Sequence, residues 1–114
     1  MPAANLDILI SNSQGDDEFV REIVAMAVEQ VKEQIAELRT LCTSGENPEW
    51  VAAAHALKGS AATIGAEEMR LLCAFAQKEL HDADASVRKA KLDEIEAAYH
   101  DARQSLIDQK FLAA

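Results

Sequence analysis

Residues 47–66 read NPEWVAAAHALKGSAATIGA, and this stretch decides the fold of the 114-residue chain. Asn47 is a good helix-capping residue, and Pro48 is favoured at the first position of a helix. Gly65 is the residue type that most often ends a helix. The stretch therefore predicts a helix that runs from Pro48 to about Ile64.

This helix is predicted to have one buried side and one exposed side. At about 100° per residue, Trp50, Leu57 and Ile64 lie within roughly 60° of one pole and are expected to face the core. His55 lies at the opposite pole, so its ring is expected to point to solvent. From the spacing alone, the commoner explanation is an idle surface histidine on an amphipathic helix.

Two neighbours of His55 favour a functional role instead. Lys58 and Gly59 share its side of the helix, because residues three and four positions apart are neighbours. Glycine inside a helix costs about 0.5–1 kcal/mol relative to alanine. In a segment rich in alanine, that cost predicts that another molecule approaches the backbone at Gly59, and its position away from the core favours a partner over a packed helix. A reachable imidazole, a cation and a gap suit a histidine that receives a phosphoryl group from another protein.

Apolar residues elsewhere recur at helical spacing and predict the remaining helices. A short helix covers about residues 4–11. A second helix runs from its cap at Asp16 until Gly45 stops it. The helix that follows the one at 48–64 spans about residues 67–83, and the last helix follows Asp84. Apolar runs do not alternate with polar residues, so no strand is predicted.

These elements predict an all-α fold in one domain over residues 1–114. Four long amphipathic helices with short connections favour an antiparallel up-down four-helix bundle over about 16–110, with the short helix as an extra N-terminal element. On the second helix, the apolar residues that keep the spacing are Phe19, Ile23, Met26, Val31, Ile35, Leu38 and Leu41. On the last helix they are Val87, Leu92, Ile95, Tyr99, Ala102 and Leu106.

The motif over residues 55–61, His-Ala-Leu-Lys-Gly-Ser-Ala, followed by Gly65-Ala66, resembles the signature of histidine-containing phosphotransfer (HPt) domains. These domains are the four-helix intermediates of multistep two-component phosphorelays. The similarity covers most of the chain, with the acidic start at residues 15–19 and with Leu72, Cys73 and Gln77 after the motif. Position 61 is alanine where many members carry serine, which is a mild departure.

The resemblance implies a role for each motif residue. His55 would accept a phosphoryl group from the aspartate of a receiver domain and pass it to another receiver. Lys58 would offset charge on the phosphoryl oxygens, and Gly59 would give the partner access. Gln77 would orient the imidazole or the phosphoryl group. No intrinsic cofactor is implied, since the receiver would supply Mg²⁺.

The amino-acid composition limits which classes of binding partner and which cellular location are expected. Twenty acidic and eleven basic side chains give a formal net charge of −9, which disfavours nucleic acid and anionic membrane surfaces. No stretch is apolar enough for a membrane span, and the N-terminus lacks the pattern of a signal peptide. We expect a cytoplasmic monomer whose partners are response-regulator receiver domains and, in some arrangements, a hybrid sensor histidine kinase. Cys42 and Cys73 are expected to be buried thiols rather than a disulfide.

Several alternatives stay open at this point. The chain contains no nucleotide-binding motif, so a phosphocarrier without ATP binding or autokinase activity is expected rather than an enzyme. The main alternative is a helical adaptor that binds a signalling partner and is not phosphorylated. His81 can be drawn as a metal site with Asp82 and Asp84, although such clusters are usually solvated. Leu71 and Phe75 either pack beneath the N-terminal helix or belong to a docking patch.

Overall fold

The computed structural model describes residues 2–114, which contain five helices. Their bounds are α1 (Asp7–Asn12), α2 (Asp17–Thr40), α3 (Pro48–Thr63), α4 (Glu67–Glu79) and α5 (Ala85–Asp108). Nowhere in this part of the chain is a helix both long and apolar enough to cross a membrane.

The four longer helices form a bundle in which each helix packs against two others. Helix α3 packs against α2 and α4, and α5 packs against α4 and α2. The connections 41–47, 64–66 and 80–84 are short, so that consecutive helices run antiparallel. The predicted all-α bundle is confirmed.

Three helix ends lie where capping chemistry predicts them. The Asp16 side chain accepts a hydrogen bond from the backbone N–H of Phe19 at 3.1 Å. The Asn47 side chain accepts from the N–H groups of Glu49 and Trp50 at 3.0 and 3.2 Å. Gly65 follows α3 with a φ of +65°, the left-handed conformation that glycine adopts most easily.

The inward side of α3 is also as predicted. Trp50, Leu57 and Ile64 each have 0% of their surface exposed. The Trp50 indole N–H donates to the carbonyl oxygen of Ala76 on α4 at 2.9 Å, which satisfies its one polar atom in the core. This orientation of α3 turns the opposite side, with His55, to the surface.

Two helices are shorter than predicted at their C-terminal ends. Helix α2 stops at Thr40 instead of Gly45, and α4 stops at Glu79 instead of Ala83. The reason is a small antiparallel pairing between β1 (Gly45–Glu46) and β2 (Asp82–Ala83), which the sequence patterning did not predict. The backbone groups of these residues pair with each other and are therefore not free to continue the helices.

The first helix also starts later than predicted, because residues 2–6 form an irregular strap across the end of the bundle. The N–H of Asn5 donates to the carbonyl of Gly65 at 3.0 Å, and the N–H of Ala4 donates to Ser105 Oγ at 3.3 Å. The strap residues Ala4 and Leu6 are themselves buried. The N-terminal residues thus hold the α3–α4 turn and the end of α5 together.

The second helix buries the expected residues in its second half and different ones in its first half. Phe19 and Met26 are exposed by 48% and 67%, whereas Val20, Val24 and Val28 are buried. The buried residues continue through Val31, Ile35 and Leu38 with spacings of three or four, which is the pattern of a continuous core seam.

On α5, the prediction placed Val87 on the core side, but Val87 is 46% exposed and the adjacent Arg88 is fully buried. The Arg88 guanidinium donates to the carbonyls of Thr43, Leu80 and His81 at 2.6–3.0 Å. It also lies 5.3 Å from the centroid of the Trp50 ring. Burial of this cation is tolerable because carbonyl oxygens at the end of α4 and after α2 accept its hydrogen bonds.

Leu71 and Phe75 do not pack beneath the N-terminal helix, since their exposed fractions are 54% and 46%. The Lys91 ammonium of α5 lies 4.6 Å from the centroid of the Phe75 ring. These residues therefore belong to the outer surface of α4 and α5.

Candidate functional site

His55 lies near the middle of α3 on its exposed side. The small residues Ala52, Ala56, Gly59 and Ala62 are exposed around it. Nothing bulky on α3 therefore shields the ring from an approaching molecule.

Helix α4 supplies a direct partner for the ring. His55 Nδ1 lies 3.3 Å from Gln77 Oε1. An amide oxygen can only accept a hydrogen bond, so this contact favours the tautomer in which Nδ1 carries the proton and donates it. The lone pair then lies on Nε2, which has no hydrogen-bond partner within residues 2–114. The sequence-predicted residues His55 and Gln77 are thus together in the structure.

Lys58 is half-buried one turn after His55, beside the packed surface of α4. Its ammonium forms no ion pair in the part of the chain described, residues 2–114. Burial raises the pKa of the Cys73 thiol on α4 to about 12, and the positive charge of Lys58 acts in the opposite direction. The lysine is therefore close to α4 but remains available to an incoming anion.

Gly59 faces open space. A Cβ atom added at this position would meet no other atom within 4 Å, apart from its own helix backbone and chain neighbours. Close packing of a neighbouring helix, which was the alternative explanation for this glycine, is therefore wrong. Gly65 is different, because a Cβ there would lie 1.7 Å from the carbonyl oxygen of Asn5.

The other two histidines lie in different surroundings. His81 follows the end of α4, where its carbonyl accepts hydrogen bonds from Asn47 N–H and from Arg88. His100 is on α5, with its ring centroid 5.4 Å from that of Tyr99. Within residues 2–114 no group of three or more His, Cys, Asp or Glu side chains is arranged to hold a metal ion. His81, Asp82 and Asp84 therefore do not form the metal site considered as an alternative.

His55 lies on an exposed face of α3. Two grooves, of about 470 and 340 Å³, lie at the N-terminal strap and between α2 and α5, and His55 lines neither of them. Small substrates are usually enclosed by a concave pocket. An exposed helix face of this kind is instead suited to contact with another protein.

A family model described as the Hpt domain matches residues 22–105. The matched stretch contains all of α3 and α4 and most of α2 and α5. Neither the curated proteins nor the solved structures include a match to this chain.

Proposed function

Because the chain belongs to the Hpt domain family, we propose that it is the histidine phosphotransfer intermediate of a multistep phosphorelay. Members of this family are phosphocarriers that take part in histidine phosphotransfer in two-component phosphorelays. In the proposed relay, His55 accepts the phosphoryl group from the aspartate of one receiver domain and passes it to the aspartate of another. The chain acts as a cytoplasmic monomer and needs no ATP site of its own.

The observation that carries the proposal is the contact between His55 and Gln77. An imidazole is a nucleophile only through a nitrogen that has a free lone pair. The 3.3 Å contact of Nδ1 with Gln77 Oε1 supports Nε2 as that nitrogen. Since His55 is exposed, a receiver can bring its aspartyl phosphate to Nε2 without a change in the fold.

The transfer step is a single displacement at phosphorus. The lone pair of Nε2 forms a bond to phosphorus while the bond between phosphorus and the aspartate oxygen breaks. The electron pair of that bond leaves on the aspartate, which becomes a carboxylate. The Nδ1 proton stays on the ring, which is then cationic, and the hydrogen bond to Gln77 stabilises it. Transfer to the second receiver is the same step in reverse.

Two residues of α3 assist this step. The Lys58 ammonium, which has no internal ion pair within residues 2–114, attracts the oxygens of the transferring phosphoryl group. The open space at Gly59 lets the loops around the receiver's aspartate come close to the helix backbone. The receiver supplies Mg²⁺, which holds the phosphoryl group in line with the attacking nitrogen.

The test is phosphotransfer from a panel of purified, phosphorylated receiver domains. We expect at least one receiver to label the wild-type chain and His55→Gln to abolish the label. His81→Gln and His100→Gln are matched controls that should keep it. The label should be stable in base and lost in acid, as expected for phosphohistidine. Label that survives in His55→Gln, or that is lost in base, would refute the proposal, and binding without any label would favour the adaptor.

A further inference from the structure

The groove between α2 and α5 has no part in the proposed phosphotransfer. It has a volume of about 340 Å³ and is lined by residues of these two helices, whereas His55 lies on α3 and contacts α4. Helices α3 and α5 occupy opposite corners of the bundle, because each of them packs against α2 and α4. A molecule bound in this groove would therefore leave His55 open to a receiver.

The floor of the groove is apolar and partly aromatic. Ile35 of α2 and Tyr99 of α5 line it and are exposed by only 6% and 4%. The ring of His100, which also lines the groove, is tilted by 46° against the Tyr99 ring, with 5.4 Å between the centroids. Aromatic rings pack well against a further ring in tilted or offset arrangements. The floor is therefore suited to a flat apolar body.

The charged side chains leave the groove with unused positive charge. Lys32 and Arg103 line it together with one carboxylate, Glu96. Glu96 already pairs at 3.5 Å with Arg39, which does not line the groove. Arg103 forms no ion pair within residues 2–114, and the Lys32 ammonium lies 3.7 Å from the exposed carboxylate of Glu29. Two cations thus remain available to an anion, in a chain with a net charge of −9.

The Tyr99 hydroxyl is a buried polar atom that has no hydrogen-bond partner within residues 2–114. Burial raises the pKa of this hydroxyl, and the charge of Arg103 acts in the opposite direction. The guanidinium is therefore close to the hydroxyl without the geometry of a hydrogen bond. Since buried polar groups in proteins are nearly always paired, this hydroxyl is an unused donor beside an unpaired cation.

We propose that the groove between α2 and α5 binds a small aromatic carboxylate. The aromatic ring of the ligand lies on Ile35 and against the rings of Tyr99 and His100. Its carboxylate accepts two parallel hydrogen bonds from the Arg103 guanidinium, whose planar shape matches a carboxylate. Lys32 supplies the second positive charge. This site goes beyond the phosphotransfer proposed above and does not depend on it.

The Tyr99 hydroxyl completes the site when the ligand enters. The half-buried Arg103 side chain turns toward the carboxylate and uncovers the hydroxyl. The hydroxyl then donates a hydrogen bond to a carboxylate oxygen. The volume of about 340 Å³ is within the range of about 300–1,000 Å³ that is typical of small-molecule sites.

The neighbouring carboxylates limit the charge of the ligand. Glu96 lines the groove. Glu29 is also near, because its charge adds to the effect of burial in raising the pKa of the Tyr99 hydroxyl. Both groups repel an anion, and the repulsion increases with the charge of that anion. A carboxylate carries one negative charge and a phosphate ester about 1.5 to 2 near pH 7, so the groove favours the carboxylate.

The test is a titration of the ¹⁵N-labelled chain with 3-phenylpropionate, followed by the amide chemical shifts. We expect saturable shifts that are largest at Lys32, Ile35, Tyr99 and Arg103. The neutral 3-phenylpropionamide has the same ring and should bind about tenfold more weakly, because it lacks the charge that strengthens the hydrogen bonds. Equal affinities for the acid and the amide, or shifts that are largest outside α2 and α5, would overturn the proposal.

Two further probes examine the sign and the size of the ligand charge. The cationic 3-phenylpropylamine should bind more weakly than the amide, since two cations line the groove. Phenyl phosphate should bind more weakly than 3-phenylpropionate, because the nearby carboxylates repel its higher charge. Tighter binding of either probe than of the carboxylate would refute the proposed ligand class.

Substitutions separate the site from general charge. Arg103→Gln should weaken binding of 3-phenylpropionate about tenfold, and Arg103→Lys should recover only part, because an ammonium cannot form the paired hydrogen bonds. Lys32→Gln should weaken binding several-fold. Lys89→Gln is its matched control, since Lys89 is also exposed but does not line the groove. Equal losses in the Lys32 and Lys89 variants would contradict the site.

Tyr99→Phe separates binding from folding. Because the hydroxyl has no partner within residues 2–114, its removal should leave the urea midpoint unchanged or raise it. The same substitution should weaken binding of 3-phenylpropionate several-fold. A lower urea midpoint with unchanged affinity would assign the hydroxyl to the fold and remove it from the site.

These titrations use the unphosphorylated chain, so their outcome is independent of whether a receiver labels His55. Fragments of this size bind with dissociation constants in the millimolar range. The absence of saturable shifts at about 10 mM 3-phenylpropionate would therefore refute the site and leave the phosphorelay proposal untouched.

Discussion

Gln77 on α4 and His55 on α3 meet across the helix pair, with 3.3 Å between Gln77 Oε1 and His55 Nδ1. The two residues are 22 positions apart in the chain and are brought together by the short connection 64–66. This contact supports our proposal that Gln77 orients the imidazole and holds the ring proton on Nδ1.

Loss of the contact between Gln77 and His55 should change the tautomer of the imidazole ring more clearly than it changes the rate of phosphoryl transfer. For Gln77→Leu, we expect the ¹⁵N shifts of the His55 ring to move toward a mixture of tautomers, because no acceptor holds the Nδ1 proton. Transfer should slow about fivefold, the equivalent of one hydrogen bond of about 1 kcal/mol. Gln77→Glu keeps an acceptor and should restore both the tautomer and most of the rate. Unchanged ring shifts in the leucine variant would show that Gln77 does not position His55.

The two glycines that flank the end of α3 should respond oppositely to alanine. Gly59→Ala should raise the free energy of unfolding by about 0.5–1 kcal/mol, since alanine favours a helix and meets no atom within 4 Å. Gly65→Ala should lower it by about 2 kcal/mol or more, because the residue has a φ of +65° and its Cβ would collide with Asn5. Urea unfolding of both variants measures the difference. A destabilised Gly59→Ala would contradict the open space at that position, and Gly59→Gln should leave stability intact while slowing transfer.

Removal of the Lys58 charge should affect transfer and not folding. Lys58→Ala should slow transfer by about ten- to a hundredfold, or about 1.4–2.7 kcal/mol, when the receiver is saturating. Lys58→Arg should recover part of the rate, because the charge remains while the donor geometry changes. The receiver must be saturating, because weaker binding of the receiver would otherwise lower the observed rate in the same way as a slower transfer step. An alanine variant as fast as wild type would remove Lys58 from the mechanism.

The buried thiol of Cys73 makes stability depend on alkaline pH. Burial raises its pKa to about 12 from an ordinary value of 9.0, so the thiol is neutral in both folded and unfolded chains below pH 9. Between about pH 9 and pH 12 only the unfolded chain ionises, and stability is lost by up to about 1.4 kcal/mol per pH unit. Urea unfolding at pH 8 and pH 10 should show this loss, and Cys73→Ala should reduce it.

A thiol reagent at pH 8 should modify the half-buried Cys42 before the buried Cys73, and equal rates of modification would contradict the burial of Cys73.

Local chemistry explains which parts of the fold were predictable. Helix starts at Asp17 and Pro48 follow from caps that act within a few residues, and the buried side of α3 follows from one clear periodic pattern. The buried side was predicted correctly for the second half of α2 but not for its first half, because two apolar stripes compete there and the core seam is the one without Phe19 and Met26. The resemblance to HPt domains already implied that Gln77 is a site residue. Only the packing of α3 on α4 shows that its side chain lies beside the His55 ring.

Long-range contacts explain the rest. The β1–β2 pairing joins residues almost forty positions apart in two short loops, where no alternating pattern can develop. Arg88 was missed because arginine is rarely buried. A signal was nevertheless present, since the spacing of Leu92, Ile95 and Tyr99 extends backward by four residues to Arg88 and not to Val87.

The buried Arg88 makes one end of the bundle a single cooperative unit. Its guanidinium, on the first turn of α5, binds the segment after α2 and the end of α4 through the carbonyls of Thr43, Leu80 and His81. Opening of either segment therefore removes hydrogen bonds from a buried cation. Amide protons here should exchange with solvent almost as slowly as those of the central core. The N-terminal strap at the opposite end is held by two buried side chains and a few single hydrogen bonds, and its amide protons should exchange faster. We therefore expect exchange protection to decrease along the bundle, from the Arg88 end toward the strap and the first half of α2.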